Sequence, residues 1–189
     1  MISALLDANV LYPAPIRDLL LSLAEDDLFK PFWSNEIHQE WKRNLLKNRP
    51  DLDPSRIDRT IYLMNQAFPD ALIEGYESRI EQLSLKDSDD RHVLAAAMEA
   101  NANYLVTANL MDFKLPNFQI DSVKVIHPDA FVIKLISLNP IAVFGSFEKL
   151  VSRLKNPPQS KADVLGTLVK CDLPETARVL ALMQGKWNA

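Results

Sequence analysis

The sequence is poor in the residues that build the commonest reactive sites. It has one cysteine, Cys171, which excludes an intrachain disulfide and a thiolate metal site; a lone cysteine is expected to act as a small buried apolar residue. Four glycines in 189 residues nearly exclude a phosphate-cradling loop, and neither a Walker pattern nor a dinucleotide fingerprint occurs. No Ser/His/Asp triad stands out. No run approaches the roughly 18 apolar residues of a membrane span. The start, Met1-Ile2-Ser3-Ala4-Leu5-Leu6-Asp7, lacks the basic flank and longer apolar stretch of a signal peptide. A cytoplasmic protein with no membrane partner is expected.

What remains is an ordinary globular composition, 48% hydrophobic and 24% charged, enough for a sizeable core. The net charge of −4 is uneven. Residues 128–189 carry eight Lys/Arg against five Asp/Glu, whereas residues 1–127 carry thirteen against twenty. A simple nucleic-acid-binding module is usually basic throughout, so the balance neither requires nor forbids such a partner.

Strands and helices alternate in the first two thirds. Residues 2–6 read as a buried strand ending at Asp7. A helix is expected from Pro15 to Glu25, with Pro in its first turn, then one capped by Ser34 and running to Lys47, and one from Pro54 to Gln66. Short strands are expected at 71–74, 104–107 and 123–126. The Ala-rich stretch from Asp90 to Ala100 strongly favours helix, with Asp89 or Ser88 as its cap. This alternation predicts an α/β fold with a parallel sheet covered on both faces. After Pro128 only helices are expected, at 129–138, 140–154, 161–170 and 174–185. The division is therefore 1–128 as an α/β domain and 129–189 as a helical C-terminal extension. Apolar stripes such as Phe131, Leu135 and Leu138, then Phe144, Phe147 and Val151, must pack on something.

Four carboxylates carry the chemistry: Asp7, Glu40, Asp90 and Asp112. Asp7 ends a strand, Asp112 follows one, Asp90 begins a helix and Glu40 lies one turn into another. Ligands of open α/β sheets gather beyond the carboxyl ends of the strands. Carboxylates brought together there repel one another, and a hard divalent cation relieves the repulsion. Oxygen donors without His or Cys favour Mg2+ or Mn2+ over zinc. Glu36 competes with Glu40, and Asp87 and Asp89 compete with Asp90; a residue just before a helix more often caps it.

Asp7-Ala8-Asn9-Val10-Leu11, Ser34-x-x-Ile37-x-x-Glu40, Asp89-Asp90-Arg91-His92-Val93-Leu94-Ala95-Ala96-Ala97 and Val106-Thr107-x-Asn109-x-x-Asp112-Phe113 resemble the PIN domain. More closely, the chain resembles VapC-type toxins of bacterial toxin–antitoxin pairs that carry a C-terminal helical extension. The resemblance covers about residues 2–128. It implies a three-layer α/β/α sandwich and a Mg2+- or Mn2+-dependent endoribonuclease, with a small antitoxin protein as partner and a possible homodimer. Asp7, Glu40 and Asp90 match the acidic positions. Many PIN domains place an Asp two residues after the Thr, where this chain has Asn109; Asp112 is the nearer carboxylate and is favoured as the fourth. Asn9, Thr107 and Asn109 fall at supporting polar positions.

Lys42, Arg43, Lys47 and Arg49 cluster beyond Glu40. They read either as a solvated helix face or as contacts to RNA phosphates. Arg91 and His92, beside Asp90, can reach phosphate or pair with neighbouring carboxylates. Trp33, Trp41 and Trp187 can stack bases, though packing is the expected role. The rival class is a non-catalytic PIN-like protein that binds a partner, with Asn109 as the feature in its favour. The same carboxylate chemistry also suits a phosphatase or a DNA nuclease.

Overall fold

The computed structural model describes residues 1–83, 85, 87–113 and 123–187, with the side chains of residues 186 and 187, Trp187 included, outside the described set. Five strands form one all-parallel sheet: β1 (Ser3–Leu6), β2 (Lys30–Ser34), β3 (Leu72–Ile73), β4 (Tyr104–Val106) and β5 (Lys124–Ile126), in the order β3-β2-β1-β4-β5. Parallel strands buried on both faces read as continuous apolar runs. Ala4, Leu5 and Leu6 of β1 and Leu105 and Val106 of β4 are all fully buried. With its helices this sheet is a three-layer α/β/α sandwich plus C-terminal helices, as the sequence predicts.

The helices are α1 (Ala8–Leu11), α2 (Ala14–Glu25), α3 (Asn35–Asn48), α4 (Pro54–Ala67), α5 (Glu77–Ile80), α6 (Arg91–Glu99), α7 (Pro128–Leu138), α8 (Pro140–Arg153), α9 (Lys161–Lys170) and α10 (Pro174–Trp187). The chain folds into two compact units, Met1–Tyr12 with Lys30–Ile126, and Pro13–Phe29 with His127–Ala189. Among the described residues no helix is long and apolar enough to cross a membrane.

In the first unit, α6 packs on β1, β2 and β4. Its Ala95, Ala96 and Ala97 are fully buried, and side chains this small let helix and sheet approach closely. Asn101, just past the helix, adopts a left-handed φ of 48°, a conformation Asn tolerates better than most residues, and the chain turns there into β4. α3 begins where the Ser34 hydroxyl accepts the Ile37 N–H at 3.2 Å, as expected of an N-cap. Trp33 and Trp41 are 0% and 1% exposed. Their indole N–H groups donate to Asn65 and to His38 Nδ1, so both are core residues closed to bases from solution. Burial pushes the His38 imidazole down to about 4, which keeps it neutral as the acceptor for Trp41.

The second unit packs α2 on α8 and α9, and α10 on α7 and α9. Phe131, Leu135, Phe144 and Phe147 are buried as their stripes require, with Phe29 edge-on to Phe131 at 5.1 Å. Leu138 breaks the pattern at 62% exposed, because it falls in the last turn of α7, where the chain leaves the helix. Asp129, 9% exposed on α7, accepts the N–H groups of Glu175 at 3.0 Å and Thr176 at 2.8 Å. One helix thus satisfies two orphan donors at the start of another. Asp129→Ala is expected to cost about 2 kcal/mol or more in denaturant unfolding, since both donors lose their acceptor in a buried place; an unchanged unfolding midpoint would refute the role.

Candidate active site

The strand order reverses between β1 and β4, and in open α/β sheets the ligand crevice lies outside the carboxyl ends of the strands at such a point. The register pairs Leu6 with Val106, and the Asp7 N–H donates to the Val106 carbonyl at 3.1 Å. Asp7 and Thr107 therefore emerge side by side at the switch point.

Asp7 is 3% exposed and heavily bonded. One oxygen accepts the Ala8 N–H at 2.6 Å, which makes Asp7 the cap of α1. The other accepts the Asn9 amide and the Thr107 hydroxyl, each at 2.6 Å. Asn9 in turn accepts the Ala108 N–H at 3.0 Å and donates to Thr107 at 3.0 Å. Asn9 and Thr107 thus clamp one carboxylate and tie the ends of β1 and β4 together. Burial nevertheless pushes the Asp7 carboxyl up to about 6, with the Glu40 charge adding to it, against the hydrogen bonds from Thr107 and Ala8 and the charge of His92.

Asp90 sits at the start of α6 in helical conformation and makes no side-chain cap bond. The expectation that Asp89 or Ser88 caps this helix does not hold. Capping needs an extended backbone, and residues 87–90 are already turning, with the Asp87 carboxylate taken up by the Asp89 N–H at 2.9 Å. The Asp90 carboxyl is left for the crevice. It is pushed up to about 6 by burial first, then by repulsion from Asp7, Asp87, Asp112 and Glu40. Asp112 thus lies within electrostatic reach of Asp90. Asn109 is exposed and serves the turn instead, its N–H bonded to Thr107 Oγ1 at 3.0 Å and its carbonyl to the Asp112 N–H at 3.2 Å. The carboxylate reading of Asp87 as a mere competitor missed its part in the field at Asp90.

Glu36 and Glu40 lie one turn apart on α3, so both point the same way. His92 of α6 stands between them, Nδ1 at 3.7 Å from Glu36 and Nε2 at 3.4 Å from Glu40. Glu36 also accepts the Tyr76 hydroxyl at 3.3 Å. Burial lowers the His92 pKa, but the hydrogen bond to Glu40 and the charges of Glu36, Glu40 and Asp7 outweigh it and hold the imidazole above its usual value. Glu40 is the carboxylate of this pair that bears on Asp7 and Asp90. A cavity of about 430 Å3 opens beside them, lined by Glu36, Gln39, Glu40, Arg43, Asn44, Asp89 and His92.

The basic residues differ in what they have left to offer. Lys42 is engaged with Asp58, Arg49 holds Asp51 in a fork, and Arg91 Nε donates to the Ser88 carbonyl at 3.0 Å. Arg43 and Lys47 are exposed and form no ion pair among the described residues.

A hard cation suits this donor set. Burial first, and then the charges of neighbouring carboxylates, hold Asp7 and Asp90 above the ordinary carboxyl range, a strain that a divalent charge relieves. Among the described residues, no three His, Cys, Asp or Glu side chains converge closely enough to hold an ion alone.

Comparison with known proteins gives two family matches on this chain. A PIN-domain model covers residues 3–111, and a model of the VapC50 C-terminal domain covers residues 128–182. The protein named "Putative ribonuclease VapC50" of Mycobacterium tuberculosis (strain H37Rv) is 35% identical over 98 residues, 50% of this chain and 57% of that protein. The matched stretch thus spans little more than half of that relative.

Proposed function

Because this chain belongs to the PIN-domain family, we propose that it is a metal-dependent endoribonuclease, the toxin of a toxin–antitoxin pair, working in the cytoplasm. The observation that carries the reading is the coupled carboxylate set at the β1/β4 switch point, where Asp90 feels Asp7, Asp112 and Glu40 at once. Asp7, Glu40, Asp90 and Asp112 would hold Mg2+ or Mn2+, which when bound supplies Lewis acidity toward a phosphoryl oxygen. Asn9 and Thr107 fix the Asp7 carboxylate in one orientation, and His92 does the same for Glu40. Lys47 meets RNA phosphates, and Arg43 meets the RNA from the cavity that it lines; Lys42 contributes less while Asp58 shares its charge, and Arg91 lies close enough to Asp90 to join them. No side chain becomes covalently attached to RNA, since none of these groups is an activated nucleophile. Residues 1–128 carry the chemistry in this reading, and residues 129–189 serve antitoxin binding or self-association.

The test is cleavage of mixed cellular RNA by the purified protein with Mg2+, Mn2+ or EDTA. Cutting is expected with either metal and lost in EDTA; cutting that persists in EDTA would sink the proposal.

A second expectation is independent of activity. Asp7 and Asp90 have folded-state pKa values near 6, above the ordinary 3.8. Each therefore favours the metal-free fold fully below 3.8 and loses that contribution as pH rises through 6. A divalent cation binds the deprotonated forms. The rise in melting temperature produced by Mg2+ or Mn2+ is expected to be slight at pH 5 and to grow steadily to pH 7.5, and a shift of equal size at both would contradict the assignment.

A further inference from the structure

The cavity beside Glu40 has chemistry of its own. Glu40 belongs both to its lining and to the carboxylate set, so whatever fills the cavity lies next to the scissile phosphate of the proposed reaction. Its volume, about 430 Å3, falls in the range of small-ligand pockets and is too small for a duplex. Glu36, Glu40 and Asp89 repel an anion and accept hydrogen bonds, which favours a donor-bearing base edge over a phosphate. Arg43, exposed and without an ion pair among the described residues, brings a planar fork of donors. Gln39 and Asn44 add amides that both donate and accept. Buried against this cavity, His92 is 8% exposed and its Nδ1 has no hydrogen-bond partner among the described residues. The nearest carboxylate to that nitrogen is Glu36, at 3.7 Å.

Building on the nuclease reading, we propose that this cavity is a base-selecting subsite for an unpaired guanine of the RNA substrate. Guanine offers O6 and N7 as a pair of acceptors, which an arginine fork matches, and N1–H with N2–H2 as a pair of donors, which the two oxygens of Glu36 match. Uracil, adenine and cytosine each lack at least one of these pairs, and none has the paired donors. The base must be unpaired, because the donor edge is occupied in a helix and sequence-specific RNA recognition works on splayed-out bases. Glu36 is already held on one side by Tyr76, so its carboxylate is oriented before the base arrives.

The experiment uses uridine oligoribonucleotides carrying a single guanosine, adenosine or cytidine. Binding is measured by fluorescence anisotropy on the Asp7→Asn protein, and cleavage positions are mapped with the wild type. The guanosine oligomer is expected to bind, and to be cut beside the guanosine, at least about tenfold better than the others. Glu36→Gln and Arg43→Lys, both at exposed positions, are each expected to bring that preference toward unity while the proteins stay folded by calorimetry. Equal treatment of all oligomers, or a guanosine preference that neither substitution changes, would overturn the subsite. Guanosine-selective binding without cleavage of any RNA would instead refute the nuclease reading and leave the subsite supported.

Discussion

Asp7→Asn is expected to fold, and to cut RNA at least about a hundredfold more slowly than the parent in the proposed reaction, the loss that follows when several kcal/mol of charge stabilisation leaves it. The substitution keeps the shape of the clamp while removing its charge, since Asn can still accept the Ala8 N–H. It also has an opposite effect on stability. In the metal-free protein above pH 6, the ionised Asp7 is held at a cost on the order of 3 kcal/mol, the equivalent of moving its pKa from 3.8 to about 6. The variant is spared that cost but sets an NH2 group against the donors that Asp7 accepts. It is therefore expected to melt higher than the parent at pH 7.5 without metal, and to lose the advantage at pH 5, where the parent's carboxyl is already protonated. A variant that loses activity together with stability at pH 7.5 would mean that Asp7 is structural. Asp112→Ala and Asn109→Ala extend the comparison. Asp112→Ala is expected to impair cleavage strongly, and Asn109→Ala little, since Asn109 holds its turn through backbone groups that alanine keeps; the reverse order would place the fourth polar group at Asn109.

Truncation after Pro128 is expected to abolish cooperative unfolding. The reason is α2, whose Ile16, Leu19, Leu20 and Leu23 are at most 4% exposed and whose packing partners include α8 and α9. Removing those helices uncovers four large apolar side chains, each worth about 1.5–3 kcal/mol when buried. Their sum rivals the whole stability of an ordinary domain. The polar ties Arg153–Glu25 and Lys149–Asp26, both at 2.6 Å, go with them. A truncated protein that melts sharply, within a few degrees of full length, would show that α2 finds cover elsewhere. In the full-length chain, Phe147→Ala is the milder version, with a cost of about 3–5 kcal/mol.

Much of the fold was legible because it rests on local signals: the apolar run before Asp7, the Ser34 cap, the alanines of α6, and the prolines that open α4, α7, α8 and α10. What was not legible lacked such signals. β2, Lys-Pro-Phe-Trp-Ser, contains a proline that cannot donate to a ladder. It forms because it lies between β1 and β3 and buries Phe32 and Trp33. α1 and α5 are single turns, below the length at which periodicity speaks. At the site, the resemblance named Asn9 and Thr107 without saying what they do; their joint hold on one oxygen of Asp7 depends on the β1/β4 register. The His92 bridge between Glu36 and Glu40 was foreseen only as a general pairing with carboxylates. Its partners depend on how α6 lies near α3, and no local pattern encodes that.

The discontinuity of the second unit has a consequence for synthesis. Residues 13–29 leave the ribosome roughly a hundred residues ahead of α7, the first of the C-terminal helices that complete their unit. At ordinary translation speeds of about 5–20 residues per second, the apolar side of α2 waits on the order of five to twenty seconds for its cover. By the end of that interval the segments that carry Asp7, Asp90 and Thr107 are already outside. The nascent chain therefore passes through a stage with the carboxylates made and one unit unfinished, when α2 is open to capture by a chaperone or by another copy of itself.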